Sequence, residues 1–478
     1  MRCTGWLRSR RPNYAGAQLS ICPAIVSGIR SLIEEQLILY LLASKTMLKR
    51  YSKSTLAQNT LWMVLGQGLR LGISVLYFTV IARSLGTHNY GAFVAVVSLV
   101  AIVFPFGALG SGILLIKNVS RDQSLFGVYW GRGLLTTTVA SSALLLVTVG
   151  LARFILPAEI PFLLLLLVAA SDLFGMSLIW IAGQAFQAFE RLNWTAMIHV
   201  LISATRLIGA LIVVQLHPHP TALQWAYIYS CSTATVVIAS LALVTVKLGL
   251  PHFAWPRSKT ELREGFYFSA SLCAQTVYND IDKTMLASLS TLEATGIYGA
   301  AYRILEASVV PIVSLRQAAY PNFFRRGLHG ISGCLPYAKL QAARALLCGM
   351  VIAAGLLVLA GVVPYFLGQE YAGVVEALRW LAILPVFRAV HYFYSDALSG
   401  AGHQGLRTAL QVAVALFNVL INCWLIPAYS WRGAAWSSIA SDGLLAVAVV
   451  LATWMLSRQQ GTSATLADSE LAESVASS

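Results

Sequence analysis

The chain has 478 residues, 58% of them hydrophobic and 11% charged, with a mean hydropathy of +0.72. Soluble domains carry about 25% charged residues, so composition excludes a soluble globular protein and requires a polytopic membrane protein. The net charge of +14 does not point to nucleic acid. Lys and Arg stand in short clusters between apolar runs, the pattern of loops on the cytoplasmic side of a membrane.

The first 46 residues are polar and basic, and their apolar stretch 32–43 is too short to span and carries Glu34 and Glu35. Residues 1–53 read as a cytoplasmic extension without a convincing signal cleavage site. Met47, followed by LKRYSKSTLAQNTLW, looks like a natural start, so residues 1–46 are expected to be upstream translation or a dispensable segment. Spanning a bilayer takes about 20 apolar residues per helix. By that measure about twelve helices follow, near 56–82, 90–116, 130–152, 160–183, 194–216 and 223–247, then 266–290, 298–324, 340–366, 374–398, 405–427 and 432–456. The fold class is thus all-α and polytopic, with two six-helix lobes, an N-lobe over 54–250 and a C-lobe over 251–457. The polar, acidic tail 458–478 is expected to be disordered.

If residue 56 starts on the cytoplasmic side, Lys49, Arg50, Lys53, Lys117, Arg121, Arg132, Arg191, Lys247, Arg257, Lys259, Arg263, Arg325, Arg326, Lys339, Arg344, Arg407 and Arg458 fall on that side. The other receives only Arg83, Arg153, Arg379 and Arg432. That asymmetry predicts both termini in the cytoplasm. ARSLGTHNYGAF before helix two and ASLSTLEATGIYGAAY before helix eight form a weak repeat. Six helices separate them, which implies a parallel repeat with a cavity between the lobes.

No GxxxxGK[ST] phosphate loop occurs, so ATP hydrolysis by that route is not expected. GQGLRLG at 66–72 reads as close helix packing. DID at 280–282 is reminiscent of sugar-nucleotide transferases, yet it falls inside a predicted membrane helix. HPHP (His217 to Pro220) reads as a proline-held loop before it reads as a metal site. The seven cysteines show no CxxC and no paired spacing. No cofactor or metal is expected.

The chemistry lies in charges at mid-depth. Arg70, Arg206 and Arg388 fall near the centres of their helices, as do Asp172, Asp280 and Asp442, with Asp282 and Lys283 adjacent. Each costs about 2.5–3.5 kcal/mol in lipid, and eight would cost on the order of 20 kcal/mol. They must therefore face the bundle interior, paired or lining a watery cavity. Internal pairing predicts Asp172 with Arg206 and Asp280 with Lys283. A cavity reading makes Arg70, Arg206 and Arg388 the substrate-binding set, because arginine's planar fork suits phosphate. Asp172, Asp280, Asp282 and Asp442 are then the ion-coupling candidates, Asp280 foremost. Arg303, Glu306 and Arg316 read as nearer the membrane faces, with Arg303 and Glu306 a structural pair.

Three stretches resemble the Wzx-type polysaccharide flippases of the multidrug/oligosaccharidyl-lipid/polysaccharide exporter superfamily. They are NTLWMVLGQGLRLGISVLYFTVIARSLGTHNYGAF, NDIDKTMLASLSTLEATGIYGAAYRI and GAGHQGLRTALQVAVALFNVLINCWLIPAYSWRGAAWSSIASD. The resemblance covers about residues 54–457. It implies two lobes, alternating access, an undecaprenyl-pyrophosphate-linked glycan as cargo, a bacterial inner-membrane location and a glycan polymerase of the same pathway as partner. Membrane lipids are the other partner and nucleic acid is not one. AYSWRGAAW departs from the family's usual Tyr-Gly before Gly-Ala-Ala. The alternatives are a cation-coupled multidrug exporter of the same superfamily, disfavoured by the midplane arginines, and a peptidoglycan-precursor flippase, which usually has two further helices. A membrane glycan polymerase or ligase would need a large external loop, and no connection here reaches 20 residues.

Overall fold

Proline and glycine decide where the long apolar runs of this chain bend or stop. The structure, a computed structural model, describes residues 55–476 apart from 218–219 and 254–258. The N-terminal extension and the middle of HPHP lie outside the described residues, which contain helices and turns but no strand. Crossings one and two are the two arms of α1 (Thr55–Val103), which meet at Gly86 in a backbone conformation (φ 70°, ψ 173°) open essentially to glycine alone. Crossing two then breaks at a 3₁₀ turn holding Pro105, passes Leu109 and Gly110 at positive φ, and resumes as α2 (Ser111–Val119).

Crossing three is α3 (Phe126–Ile155). Crossing four is α4 (Phe162–Ala170) and α5 (Ser177–Ala188), joined by a π-helical turn, Ser171–Met176. Crossings five and six are α6 (Leu192–Leu216) and α7 (Ala222–Leu248), the latter opened by a Thr221/Gln224 capping box. The second half comprises α8 (Lys259–Leu289), α9 (Leu292–Arg326), α10 (Gly330–Leu359) with the short α11 (Val363–Leu367), α12 (Gly373–Leu381), α13 (Leu384–Gly400), α14 (Gln404–Tyr429) and α15 (Trp431–Ala476). These helices make twelve crossings in two sets of six.

Several boundaries differ from the sequence reading, each for a local reason. Crossing eight begins at Leu292 and not near 298, because Thr291 caps it by accepting the Ala294 N–H. Crossing ten is two helices, α12 and α13, with Pro385 in the first turn of the second. The last helix continues to Ala476 where polarity predicts disorder; its run of Ala, Leu and Glu favours helix.

Among the described residues, eight stretches are long and apolar enough to cross a membrane. They include every crossing of the first half, but not α8, α12, α13 or the first part of α9. Those helices carry Asp280, Asp282, Lys283, Arg303, Glu306, Arg316, Arg388 and Asp396. On α10, Leu347, Val351, Val358 and Leu359 are exposed.

The two copies of the Tyr-Gly repeat pack against each other at the end opposite the basic loops. A Cβ on Gly91 would collide with the Leu292 carbonyl, and one on Gly296 with the Thr87 carbonyl, so the helix ends touch backbone to backbone. Tyr371 adds a hydrogen bond from its hydroxyl to the Ala82 carbonyl (2.8 Å), and His88 meets Glu293 at 2.6 Å. One hydrophobic core runs through both halves at this end, from Phe78 and Tyr90 to Leu292 and Tyr371. At the basic end the first half keeps a separate core around Phe126, Trp130 and Phe186. There the halves meet where Gly110 abuts Gly265. A shared core closes one end of the bundle, whereas at the other the core is divided and the halves touch through Gly110 and Gly265, Phe106 and Phe266, and the Tyr129–Glu261 hydrogen bond.

Candidate functional site

Crossing eight's early start decides the depth of its charges. Arg303 lies eleven residues into α9, about 16 Å from its start, near the middle of a core about 30 Å thick. It is not near a face as the sequence reading placed it. Arg303 pairs with Glu306 at 3.6 Å, as expected, yet the two side chains remain 58% and 40% exposed. Charged groups so exposed at mid-depth belong in a watery cleft and not in lipid. Around Arg303 stand Tyr77 and Tyr90 of α1, with Arg70 within its electrostatic reach.

The first half contributes Arg70, Asp172, Arg206 and Tyr229. Asp172 sits in the π turn of crossing four, a distortion found often at functional sites. It accepts the Tyr229 hydroxyl at 2.7 Å and faces an Arg206 nitrogen at 3.5 Å. The Arg206 guanidinium also lies over the Tyr229 ring, 4.0 Å from its centroid. Arg70 is half-buried beside Arg206 and Arg303 and has no hydrogen-bond or ion-pair partner among the described residues. Three arginines from α1, α6 and α9 therefore converge on the cleft, and the first has no counter-charge.

The second half holds its charges in a buried network. Lys283 bonds Asp280 at 2.8 Å, the expected pair, lies 3.7 Å from Asp282 and covers the Tyr302 ring at 3.9 Å. Asp282 accepts from Tyr298 and Ser438. Arg388 is 6% exposed, bonds Asp442 at 3.3 Å and donates to the Tyr302 hydroxyl. Arg316 grips Asp396 with two bonds of 2.8 and 2.9 Å, and Arg407 stands 3.6 Å from the same carboxylate. Asn418, Asn422, Ser437 and Ser441 extend the polar chain between α14 and α15.

Arg70 and Arg206 are thus brought together at the cleft, and Arg388 is placed inside the second half. Asp172 and Asp442 each face one of these arginines, whereas Asp280 and Asp282 share Lys283. Sequence reasoning did not single out Asp396, His391 or Tyr229. Asp396 carried a usable signal, since it too is a charge inside a predicted crossing.

This architecture is a multi-pass helical fold shared with solved membrane transporters. The protein is similar in fold to the inward-facing conformation of a multidrug resistance MATE family transporter (TM-score 0.70, 15% identity, covering 84% of this chain and 99% of that one). It is similar also to the lipid II flippase MurJ in an inward closed conformation (TM-score 0.67, 12% identity, covering 83% and 87%). A third is a Pyrococcus furiosus MOP superfamily transporter described by the reverse polarity of its binding pocket (TM-score 0.61, 15% identity, covering 83% and 95%). No curated protein matches the sequence. The family profile described as "Polysaccharide biosynthesis protein" matches residues 56–326, and the chain belongs to that family.

Proposed function

We propose that this protein flips an undecaprenyl-pyrophosphate-linked oligosaccharide from the cytoplasmic to the outer leaflet of a bacterial inner membrane, by alternating access. The observation that carries this reading is Arg70, a guanidinium with no partner among the described residues, within electrostatic reach of Arg206 and Arg303 in a charged cleft. An uncompensated cation at mid-depth is costly at rest and is matched when an anionic headgroup arrives. Membership of a polysaccharide-biosynthesis family supplies the glycan, and the likeness to a lipid II flippase supports a lipid-linked cargo. The unpaired arginine disfavours the cationic cargo of a multidrug exporter.

The positive-inside bias puts the basic end in the cytoplasm, so the divided end of the bundle faces the leaflet of departure. The headgroup binds Arg70 first. Arg206 and Arg388 follow by exchanging Asp172 and Asp442 for phosphate oxygens as the lobes rock. Those two aspartates, with Asp280 and Asp282, then set the charge of the empty carrier. Two negative charges leaving across about 150 mV gain about 7 kcal/mol, enough to drive the loaded step without ATP. On the outer side a glycan polymerase of the same pathway receives the product.

The test replaces Arg70, Arg206 and Arg388 singly with alanine in a strain whose surface glycan depends on this protein. The expected result is loss of surface glycan with the protein still in the membrane, and partial rescue by lysine, which offers a point charge without the fork. Normal export by all three alanine variants would sink the reading.

A further inference from the structure

The polar groups along α13 have no part in the cargo path except Arg388. Arg388, His391, Ser395 and Ser399 recur at helical spacing and form one buried stripe about 16 Å long. Its far end reaches the basic loops. Ser399 Oγ bonds Gln404 Oε1 at 2.6 Å and accepts from Arg407 at 2.6 Å, and Gln404 is exposed. Midway the stripe opens on a cavity of about 40 Å³ lined by Ser395, His391, Arg407, Gln411 and Asn279, among others. That holds about three or four waters at about 10–15 Å³ each.

Four buried atoms in this region lack a hydrogen-bond partner: Ser395 Oγ, Arg407 Nε, His391 Nε2 and Asp442 Oδ1. His391 and Asp442 are 4% and 2% exposed, and their unpartnered atoms face each other at 3.6 Å, too far for a direct hydrogen bond. An unsatisfied buried polar group is costly, so four in one place are not a packing accident. Waters in the cavity satisfy the hydroxyl and the Arg407 N–H. One proton on the carboxyl supplies the donor for a hydrogen bond to the imidazole nitrogen once the pair closes from 3.6 Å.

We propose that His391 and Asp442 form a proton-binding site in the second half, connected to the basic end through Ser395, Ser399 and the waters of the cavity. The inference rests on the reading of the chain as an ion-coupled carrier, and it names the ion and its place. The surrounding charges are Arg388 from α13 itself, on the other oxygen of Asp442, Arg316 of α9 and Arg407 of α14, both on Asp396, and Lys283 of α8, on Asp280 and Asp282; Tyr302 and Tyr392 are the phenols nearby. Three guanidiniums oppose a charge on His391, so the proton rests on the Asp442 carboxyl with the imidazole as its relay. Proton and Arg388 then compete for Asp442. The structure records the arm of that exchange in which Arg388 holds the carboxylate.

Infrared difference spectroscopy of the purified full chain, without cargo, between about pH 5 and 9 tests the site. A carboxyl C=O band that grows with acid is expected. Asp442→Asn should abolish it. His391→Gln, which keeps Asp442, should move its midpoint by about one pH unit, a tenfold change in proton affinity. Ser399→Leu should slow proton exchange from the basic side in oriented vesicles by several fold. A titrating band that persists in Asp442→Asn overturns the proposal, and so does one that shifts when potassium is exchanged for sodium. Because no cargo is present, glycan export without the band defeats this inference alone, and the band without export defeats the flippase reading alone.

Discussion

The two halves of the bundle hold their charges in opposite ways. In the first, the Asp172–Arg206 ion pair spans 3.5 Å near Arg70, which has no partner among the described residues. In the second, Asp396 serves Arg316 and Arg407, Asp442 faces Arg388 and His391, and Lys283 lies between two aspartates. The composition of the helices matches: among the described residues, five long apolar stretches run through the first half, while α8 carries Asp280, Asp282 and Lys283 and is not one of them. A loosely held arginine can trade its partner for a ligand at small cost. A shared, buried carboxylate cannot be removed without stranding two cations. The first half thus offers charge to the cleft, and the second, Arg303 and Arg388 apart, uses charge to hold its own helices together.

The largest expected effect comes from breaking the second half. Asp396→Ala leaves Arg316 and Arg407 without a counter-charge, and stranding a buried ion costs about 3–5 kcal/mol. Purified protein should melt markedly lower and be recovered in lower yield. Asp172→Ala should cost less, because Arg206 keeps its stack on Tyr229 and is 18% exposed. Equal losses would erase the contrast between the halves.

Next in size is the contact that joins the halves. Gly296→Val drives a side chain into the Thr87 carbonyl, so the closed end should open. A cysteine introduced by Tyr90→Cys, buried in the parent, should then react several-fold faster with a membrane-impermeant maleimide. Unchanged labelling would mean that the halves meet there without depending on the glycine contact.

A smaller effect sharpens the account of the first half. Tyr229→Phe removes the hydroxyl that Asp172 accepts, a hydrogen bond to a charged group worth about 1.5–3 kcal/mol. Transport should fall further than melting temperature if Asp172 then holds Arg206 more tightly. A pure stability loss would make the pair structural.

The smallest effect belongs to Glu376, which Arg432 meets in two bonds of 2.8 Å on an exposed surface. Glu376→Gln should leave melting temperature and transport unchanged, since exposed pairs contribute little.

Much of this was legible in the residues. Arg70 and Arg206 were found from depth alone, and the pairs Asp172–Arg206 and Asp280–Lys283 from proximity along or between neighbouring helices. Arg303 was misplaced because the start of its helix depends on the Thr291 cap, which shifts the depth count by six residues. His391 and Asp396 went unremarked because their partners lie far along the chain, Arg316 being 80 residues from Asp396.

What the sequence alone determined is the partition between water and lipid: twelve crossings, a basic and a non-basic end, and charges too costly to face hydrocarbon. Those follow from a window of about 20 residues, the length over which a bilayer reads a chain. Only the tertiary structure decided which carboxylate each arginine meets, that the Tyr-Gly repeats touch backbone to backbone, and which end of the bundle is closed. Ion pairs and glycine contacts join residues from helices distant in sequence, and their geometry is set by packing that no local window contains.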